Sequence, residues 1–206
     1  MKVLLINGSP HKYGCTNAVL EEVMDQLRAE SIETELLHIG TKPVGGCIDC
    51  GGCIKTGLCV FKNDNVNVCI EKLCAADGII VGSPVYYAGP NGSLCAFMDR
   101  VFAKKKARYA FKPAAAVLCC RRGGASASFD RLNKYFSIAH MPIVPSQYWN
   151  SVHGMTPDEI KQDLEGLQTM RMLARNMAWM LKCIDNAKGK VPLPDMEPWV
   201  STNFIR

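Results

Sequence analysis

Four cysteines are crowded into the segment GGCIDCGGCIKTGLC at residues 45–59, with the spacing C-x2-C-x2-C-x5-C. Structural zinc sites usually place two C-x2-C pairs well apart, so that two turns of chain meet around one ion. A cubane iron–sulfur cluster is larger, and C-x2-C-x2-C with a further cysteine is spacing of the ferredoxin type. The pattern favours a cluster over zinc, and a loop without metal stays open as an alternative. The ligands would be Cys47, Cys50, Cys53 and Cys59.

A second candidate site is the segment NGSPHKYGCTN at residues 7–17, which follows an apolar run. It contains neither the G-x-G-x-x-G fingerprint of dinucleotide-binding folds nor the G-K-[ST] ending of a P-loop. It leads into a predicted helix, where unpaired backbone N–H groups and the helix dipole favour an anion. Ser9, Thr16 and Asn17 can donate further hydrogen bonds, and Thr16 or Asn17 is expected to cap the helix. We interpret the segment as a phosphate site; an ordinary capped loop is the alternative.

The segment SPVYYAG at residues 83–89 follows another apolar run. Pro84 stiffens the chain, and Gly89 permits a sharp turn. Tyr86 and Tyr87 stand where polar loop residues are expected, and aromatic rings at the edge of a ligand site can flank a flat ring system. The segment therefore predicts contacts to a planar ligand, and the alternative is that the tyrosines plug the end of the sheet.

The segment CCRRGGASAS at residues 119–128 is a third loop of this kind. Gly123 and Gly124 let the backbone approach a ligand closely. Arg121 or Arg122 can neutralise negative charge on a reduced ring or meet the phosphate of a pyridine nucleotide, although exposed arginines at a loop tip are as common. A phosphate site, an aromatic loop and a glycine-rich loop together fit a phosphorylated, planar, aromatic cofactor, for which FMN is the obvious candidate.

These loops require a scaffold that brings the ends of several strands to one edge. Apolar runs predict buried strands at residues 2–6, 34–39, 78–84, 114–120 and 141–149. Helical patterns lie between them, and one last helix is predicted to begin at the capping box of Thr156 and Glu159. Alternating strands and helices predict a parallel sheet covered on both faces, an α/β fold of three layers. The tail at 188–206 is expected to be irregular.

Composition limits the possible partners of the chain. Its 206 residues suit one domain, and the net charge of +5 is mild. The basic run KKKAR at residues 104–108 is interpreted as a solvated helix end, so no nucleic-acid partner is expected. No apolar run reaches membrane-span length, and MKVLLING does not have the form of a signal peptide. We expect a cytoplasmic protein without a membrane partner, in which the 11 cysteines stay reduced.

The pattern GSP-x5-TN at residues 8–17, with GSPVYYAG at 82–89, resembles the flavodoxin-like NAD(P)H-dependent FMN reductases. The cysteine spacing resembles that of the iron–sulfur flavoproteins. The resemblance implies a five-stranded sheet in the order 2-1-3-4-5 for residues 1–187, with a cysteine loop at 45–62 that carries a [4Fe–4S] cluster. It also implies a homodimer or homotetramer in which the cluster of one subunit lies near the FMN of another. By the same resemblance, phosphate would bind at Ser9, His11, Thr16 and Asn17, and the ring would meet Pro84, Val85, Tyr86, Tyr87, Gly89, Arg121, Gly123 and Gly124.

The predicted function is that of an FMN-dependent oxidoreductase. It would transfer electrons between NAD(P)H or another donor and an acceptor, either a small molecule or a redox protein. The flavin performs the hydride chemistry, so no catalytic side chain is expected. The alternatives are a cluster-free NAD(P)H-dependent reductase of FMN or quinones, a non-catalytic electron carrier like flavodoxin and, more remotely, a zinc-stapled interaction module.

Overall fold

One sheet organises the chain, for which the computed structural model describes residues 1–104, 106–198, 200–202 and 204. Its strands are β1 (Lys2–Asn7), β2 (Glu33–His38), β3 (Gly78–Tyr86), β4 (Gly89–Pro90), β5 (Ala114–Cys120) and β6 (Ser151–His153). Five strands run parallel in the order β2-β1-β3-β5-β6, and the short β4 pairs antiparallel with the end of β3. Counted over its parallel strands, the sheet has the predicted flavodoxin-like order 2-1-3-4-5.

Helices cover both faces of the sheet and give the predicted three layers. They are α1 (Cys15–Ala29), α2 (Gly52–Thr56), α3 (Val66–Ala75), α4 (Gly92–Val101), α5 (Ala125–Ile138), α6 (Pro157–Ile160) and α7 (Leu164–Ala187). Alternate residues of β1 point to opposite faces: Leu4 and Ile6 pack among side chains of α3, α4 and α5, and Val3 and Leu5 pack against α1 and α7. All four are fully buried, as the continuous apolar run predicts.

The last parallel strand lies later in the chain than predicted. Within the predicted segment 141–149, Ile143 forms only an isolated bridge to Ala114. The ladder with β5 is made instead by Ser151–His153. The reason is that Pro142 and Pro145 have no N–H to donate, so this stretch cannot build a regular ladder.

The final helix begins as predicted but is divided in two. The hydroxyl oxygen of Thr156 accepts a hydrogen bond from the amide of Glu159 over 3.2 Å. However, α6 ends at Ile160, and Asp163 then caps α7 by accepting from the amide of Gly166 over 2.9 Å. A short acidic side chain that bonds the backbone in this way favours a helix start over a helix interior.

Two predicted segments reach beyond the described residues. Lys105 lies within the basic run, and residues 199, 203, 205 and 206 lie within the tail. The described tail residues from 192 to 198 have no regular secondary structure, and Val191, Leu193 and Met196 are exposed. Within the described residues, none of the helices has the length and apolar character that a membrane span requires.

Candidate functional site

Three loops leave the sheet side by side at the carboxyl ends of β1, β3 and β5. Asn7 at the end of β1 pairs with Gly82 of β3, and Pro84 of β3 pairs with Cys119 of β5. The amide of Gly8 donates to the carbonyl oxygen of Gly82 over 2.8 Å. In open α/β sheets this edge is where ligands bind. The three loops predicted to carry a ligand therefore meet at one place.

The first loop, residues 8–14, is shaped by its own hydrogen bonds and by one from β2. The side-chain oxygen of Asn7 accepts from the amide of Ser9 over 3.0 Å, and its amide group donates to the carbonyl of Lys12 over 3.3 Å. The hydroxyl of Ser9 accepts from the amide of His11 over 3.1 Å. His38 Nε2 lies 2.7 Å from the carbonyl oxygen of Ser9; because a carbonyl can only accept, this nitrogen carries the hydrogen. Ser9 is thus fixed and nearly buried, while His11 is exposed.

The first turn of α1 follows this loop, and no capping side chain accepts a hydrogen bond from its backbone amides. The N-cap is Gly14, which offers no side chain, and the turn holds no acidic residue. Thr16 and Asn17 therefore lie inside the helix instead of capping it, and both are buried. The side-chain amide of Asn17 donates to Glu21 over 2.7 Å. Its backbone N–H belongs to the first turn, where amides have no partner within the helix, and so is available to a ligand. Uncapped amides on a 15-residue helix, beside hydroxyl groups, suit a phosphate.

The second loop is a two-residue turn, Tyr87 and Ala88, between β3 and β4. Both central residues have positive φ, 51° and 59°. Hairpins with this geometry usually use Asn-Gly, because a bulky residue pays a steric cost there. The turn holds Tyr86 and Tyr87 outward, and Tyr87 is 106% exposed. Rings kept at the surface by a strained turn do not plug the sheet, and such strain is typical of ligand clamps.

The third loop, residues 121–124, packs directly against the second. Gly124 has φ +91°, and a Cβ there would lie 2.6 Å from the Cα of Ala88 and 2.8 Å from Cγ1 of Val85. Only glycine allows this approach. Arg121, Arg122 and Gly123 are exposed at the tip, whereas Pro84, Val85 and Gly89 are half-buried beneath it. The edge therefore offers backbone amides, hydroxyls, aromatic rings and a cation, a donor set that fits FMN.

The cysteine loop, residues 45–62, leaves the sheet after β2 and folds around the short α2. Gly51 and Gly57 flank this helix with φ of 71° and 80°, values that permit its tight entry and exit. One pocket is lined by the four cysteines together with Arg100 and Lys104. Cys47 and Cys50 are exposed, and Cys53 and Cys59 are half-buried. Four thiols lining one pocket are the donor set that an iron–sulfur cluster uses, and the two cations there are paired with Asp64 and Asp49.

In the part of the chain that the structure describes, no three His, Cys, Asp or Glu side chains are grouped so that they could hold a metal ion. The back of the pocket is nevertheless well ordered by hydrogen bonds. The amide of Cys59 donates to the side-chain oxygen of Asn67 over 2.7 Å, and the Asn67 amide group donates to the carbonyl of Cys59 over 3.0 Å. These two bonds fix the last of the four cysteines against α3.

Arg100, near the end of α4, is buried behind the cysteine pocket. Its guanidinium pairs with Asp64 and donates to the sulfur of Cys59 over 3.2 Å. Burial would lower the pKa of this guanidinium, but its hydrogen bonds to Asp64 and Cys59 raise the pKa, and the net shift is upward. The arginine therefore stays charged in an almost closed environment.

A set of hydrogen bonds links the cysteine pocket to the first loop. His38 holds the first loop by its ring, and its backbone carbonyl accepts from the side chain of Asn65 over 3.2 Å. Asn65 is the N-cap residue of α3, and the adjacent Asp64 forms an ion pair with Arg100. In addition, α4 runs from the tyrosine turn toward the pocket, and its 10 residues span about 15 Å. The two candidate sites thus share one framework.

Sequence reasoning did not select Asn7, His38, Asp64 or Arg100. For two of them, the sequence contains a feature that could have identified them. Asn7 directly follows a buried strand, where an Asn side chain commonly bonds the backbone two residues on. Arg100 lies three residues after Phe97, on the apolar stripe of its helix, where a charge is unexpected. His38 has no such signal, because its partner is 29 residues away in sequence.

Comparison with known proteins agrees with this geometry. The sequence model of the NADPH-dependent FMN reductase family matches residues 1–156. An iron-sulfur flavoprotein of Methanocaldococcus jannaschii is 33% identical over 195 residues, which cover 89% of this chain and 99% of that protein. An iron-sulfur flavoprotein of Methanosarcina thermophila is 28% identical over 194 residues, covering 92% and 100%. Among solved structures, a flavodoxin from the domain Archaea has a TM-score of 0.60 at 15% identity, covering 88% of this chain and 99% of that one, which shows the same fold.

Proposed function

Because the chain belongs to the NADPH-dependent FMN reductase family, we propose that it binds FMN at the edge formed by β1, β3 and β5 and couples it to a [4Fe–4S] cluster. It would take electrons from NAD(P)H or another donor and pass them to an acceptor, a small molecule or a redox protein. The observation that carries the proposal is the meeting of three loops, where Gly8 bonds Gly82 and Gly124 lies against Ala88.

When bound, FMN would supply the redox chemistry, which joins a two-electron hydride donor to one-electron partners. The chain's own task is to hold and orient it. The uncapped amides of α1, with Ser9, Thr16 and the backbone of Asn17, would receive the phosphate. Tyr86 and Tyr87 would flank the ring from the strained turn, and Gly124 keeps the third loop close to that turn. The predicted ligands His11, Pro84, Val85, Gly89, Arg121 and Gly123 lie on these same loops.

The cluster would be held by Cys47, Cys50, Cys53 and Cys59, which line one pocket. It supplies a one-electron centre when bound. Support comes from the thiol set and from the relatives called iron-sulfur flavoproteins. Lys104 lies 2.8 Å from Asp49, so this cation is held at the mouth of the pocket.

The proposal includes a homodimer or homotetramer, as the family resemblance implies. It also includes a cytoplasmic location, where thiols stay reduced and available to iron. A second candidate function is a cluster-free reductase of FMN or quinones. The arrangement of the thiols favours it, because among the described residues no three possible ligands are grouped so that they could hold a metal ion.

Anaerobic kinetics separate these functions. The FMN-loaded protein is mixed with NADPH or NADH, and flavin bleaching is followed together with reduction of a one-electron haem protein. We expect C50S to bleach at the wild-type rate but to reduce the haem protein at least tenfold more slowly, while C74S, a change at another exposed cysteine, behaves as wild type. Equal haem-protein reduction by C50S and wild type would establish the cluster-free reductase. Absence of bleaching by either nucleotide would exclude NAD(P)H as the donor and leave either another donor or an electron carrier.

A further inference from the structure

The ion pair of Arg100 and Asp64 is buried at a place where the fold alone does not require it. Their side chains are 1% and 8% exposed. The free energy lost by removing two charges from water is about as large as the free energy gained from their attraction. Apolar residues of similar size therefore often give the fold equal stability. The other hydrogen-bond partners of Arg100 therefore indicate why a charged residue is buried at this position.

Two of those groups belong to the cysteine loop. Arg100 Nε–H donates to the sulfur of Cys59 over 3.2 Å, and Nη1 donates to the carbonyl oxygen of Gly45 over 3.2 Å. Gly45 begins the loop and Cys59 is its last cysteine, so one side chain ties both ends to α4. The guanidinium carbon also lies over the ring of Phe61, 5.1 Å from its centroid, a cation–π contact.

A hydrogen bond to a ligand sulfur changes the properties of an iron–sulfur centre. The potential of such a centre is set by its net charge, its exposure and the hydrogen bonds to its sulfurs. Reduction adds one electron, and therefore one negative charge, to the centre. The N–H donor at Cys59 stabilises the reduced state more than the oxidised state, because the sulfur that accepts the hydrogen bond becomes more negative on reduction.

We infer that Arg100 is a positioning residue that orients Cys59 as a ligand and raises the reduction potential of the cluster. The inference rests on the proposed function, since it requires the cluster at the four cysteines. A clamp with a purely structural role would hold the loop equally well but would leave the potential unchanged.

The test is potentiometry of the anaerobically purified holoprotein, with dithionite as reductant, redox mediators and electron paramagnetic resonance as the readout. R100K keeps a cation opposite Asp64 but removes the Nε–H donor. We expect R100K to retain wild-type iron and sulfide and to shift the ratio of reduced to oxidised cluster about tenfold toward oxidised at a fixed potential, about 59 mV for one electron. R131K is the matched control, because Arg131 pairs with Asp99 on a different surface.

A wild-type potential in R100K overturns the inference. If R100K does not assemble the cluster, the double variant D64L/R100M decides, because it removes the whole ion pair without changing the net charge and leaves no buried charge unpaired. A potential below that of wild type supports the inference, and a wild-type potential overturns it. Wild-type protein without iron and sulfide would instead refute the proposed function, so the two failures are distinguishable.

Discussion

The imidazole of His38 donates from Nε2 to the carbonyl oxygen of Ser9 over 2.7 Å, and so ties the first loop to the end of β2. The bond holds the loop in the shape that presents Ser9 and the amides of α1 to one point. It joins residues 29 positions apart and links the edge strand β2 to the loop that follows β1.

Replacing His38 with alanine is expected to weaken FMN binding by roughly three- to tenfold, the value of one lost hydrogen bond. Quenching of flavin fluorescence during titration measures this dissociation constant. H153A, a change at an exposed histidine on β6, should bind FMN as wild type does. Unchanged affinity in H38A would show that the first loop keeps its shape without this bond.

The contact of the third loop with the tyrosine turn predicts a severe effect at Gly124. In G124A the new Cβ would lie 2.6 Å from the Cα of Ala88, at a residue whose φ is +91°. We expect a loss of about 1–3 kcal/mol in the free energy of unfolding, because backbone has to move, together with weaker FMN binding. Thermal unfolding monitors the first effect, and flavin titration monitors the second.

G123A provides the matched control for this change. Its Cβ would meet nothing within 4 Å, and its φ is not in the left-handed region. It should differ from wild type by less than about 0.5 kcal/mol. Equal stability of the two variants would contradict the packing of the third loop against the turn.

The phosphate assignment predicts that binding depends on the phosphate group of the ligand. T16V removes a hydroxyl at the first turn of α1 while keeping the side-chain volume. We expect the affinity for FMN to fall about tenfold, the value of a hydrogen bond to a charged group. The affinity for riboflavin, which has no phosphate, should stay the same. A parallel loss for both ligands would place Thr16 at the ring and not at the phosphate.

The sequence predicted the parallel sheet and its order because buried apolar runs alternate with helical patterns. The runs at 2–6, 34–39, 78–84 and 114–120 all became strands within two residues of the predicted ends. The last strand was wrong because an apolar run resembles a strand even when prolines prevent regular pairing, as Pro142 and Pro145 do. In that region the pairing is decided by hydrogen-bond donors and not by hydrophobicity.

The candidate site was predictable where its signal is local. Cysteine spacing, glycine-rich loops and two adjacent tyrosines are all visible in short segments. The roles of His38 and Arg100 were not predictable, because each depends on a partner far away in sequence, Ser9 and Cys59. The strain at Tyr87 was also hidden, since a Tyr-Ala pair does not signal a turn with two positive φ values.

At low pH the protein should lose a small part of its free energy of unfolding, through the ion pairs of Glu35 at the edge of the sheet. The hydrogen bond from Lys72 holds the pKa of Glu35 below its usual value of 4.5, and Lys2 adds to this effect while burial opposes it. A carboxylate with a lowered folded-state pKa stabilises the fold above pH 4.5, and this contribution is lost as the pH falls through the folded-state pKa. The ion pairs are partly exposed, so the contribution is about 0.5 kcal/mol.

E35Q tests this expectation by urea unfolding at two pH values. It should be less stable than wild type at pH ~7, and the difference should shrink at pH ~3, because protonation of Glu35 removes its charge. E33Q, at a more exposed glutamate that pairs with Lys2, should show a smaller difference. A deficit in E35Q that persists unchanged at pH ~3 would assign the effect to packing and not to charge.

The most direct test of the flavin site and its cluster is a count of FMN, iron and acid-labile sulfide per chain in protein purified without oxygen. The account predicts about one FMN, with about four iron and four sulfide per chain. Protein that retains no flavin, and whose absorbance spectrum gains nothing when FMN is added, would contradict it.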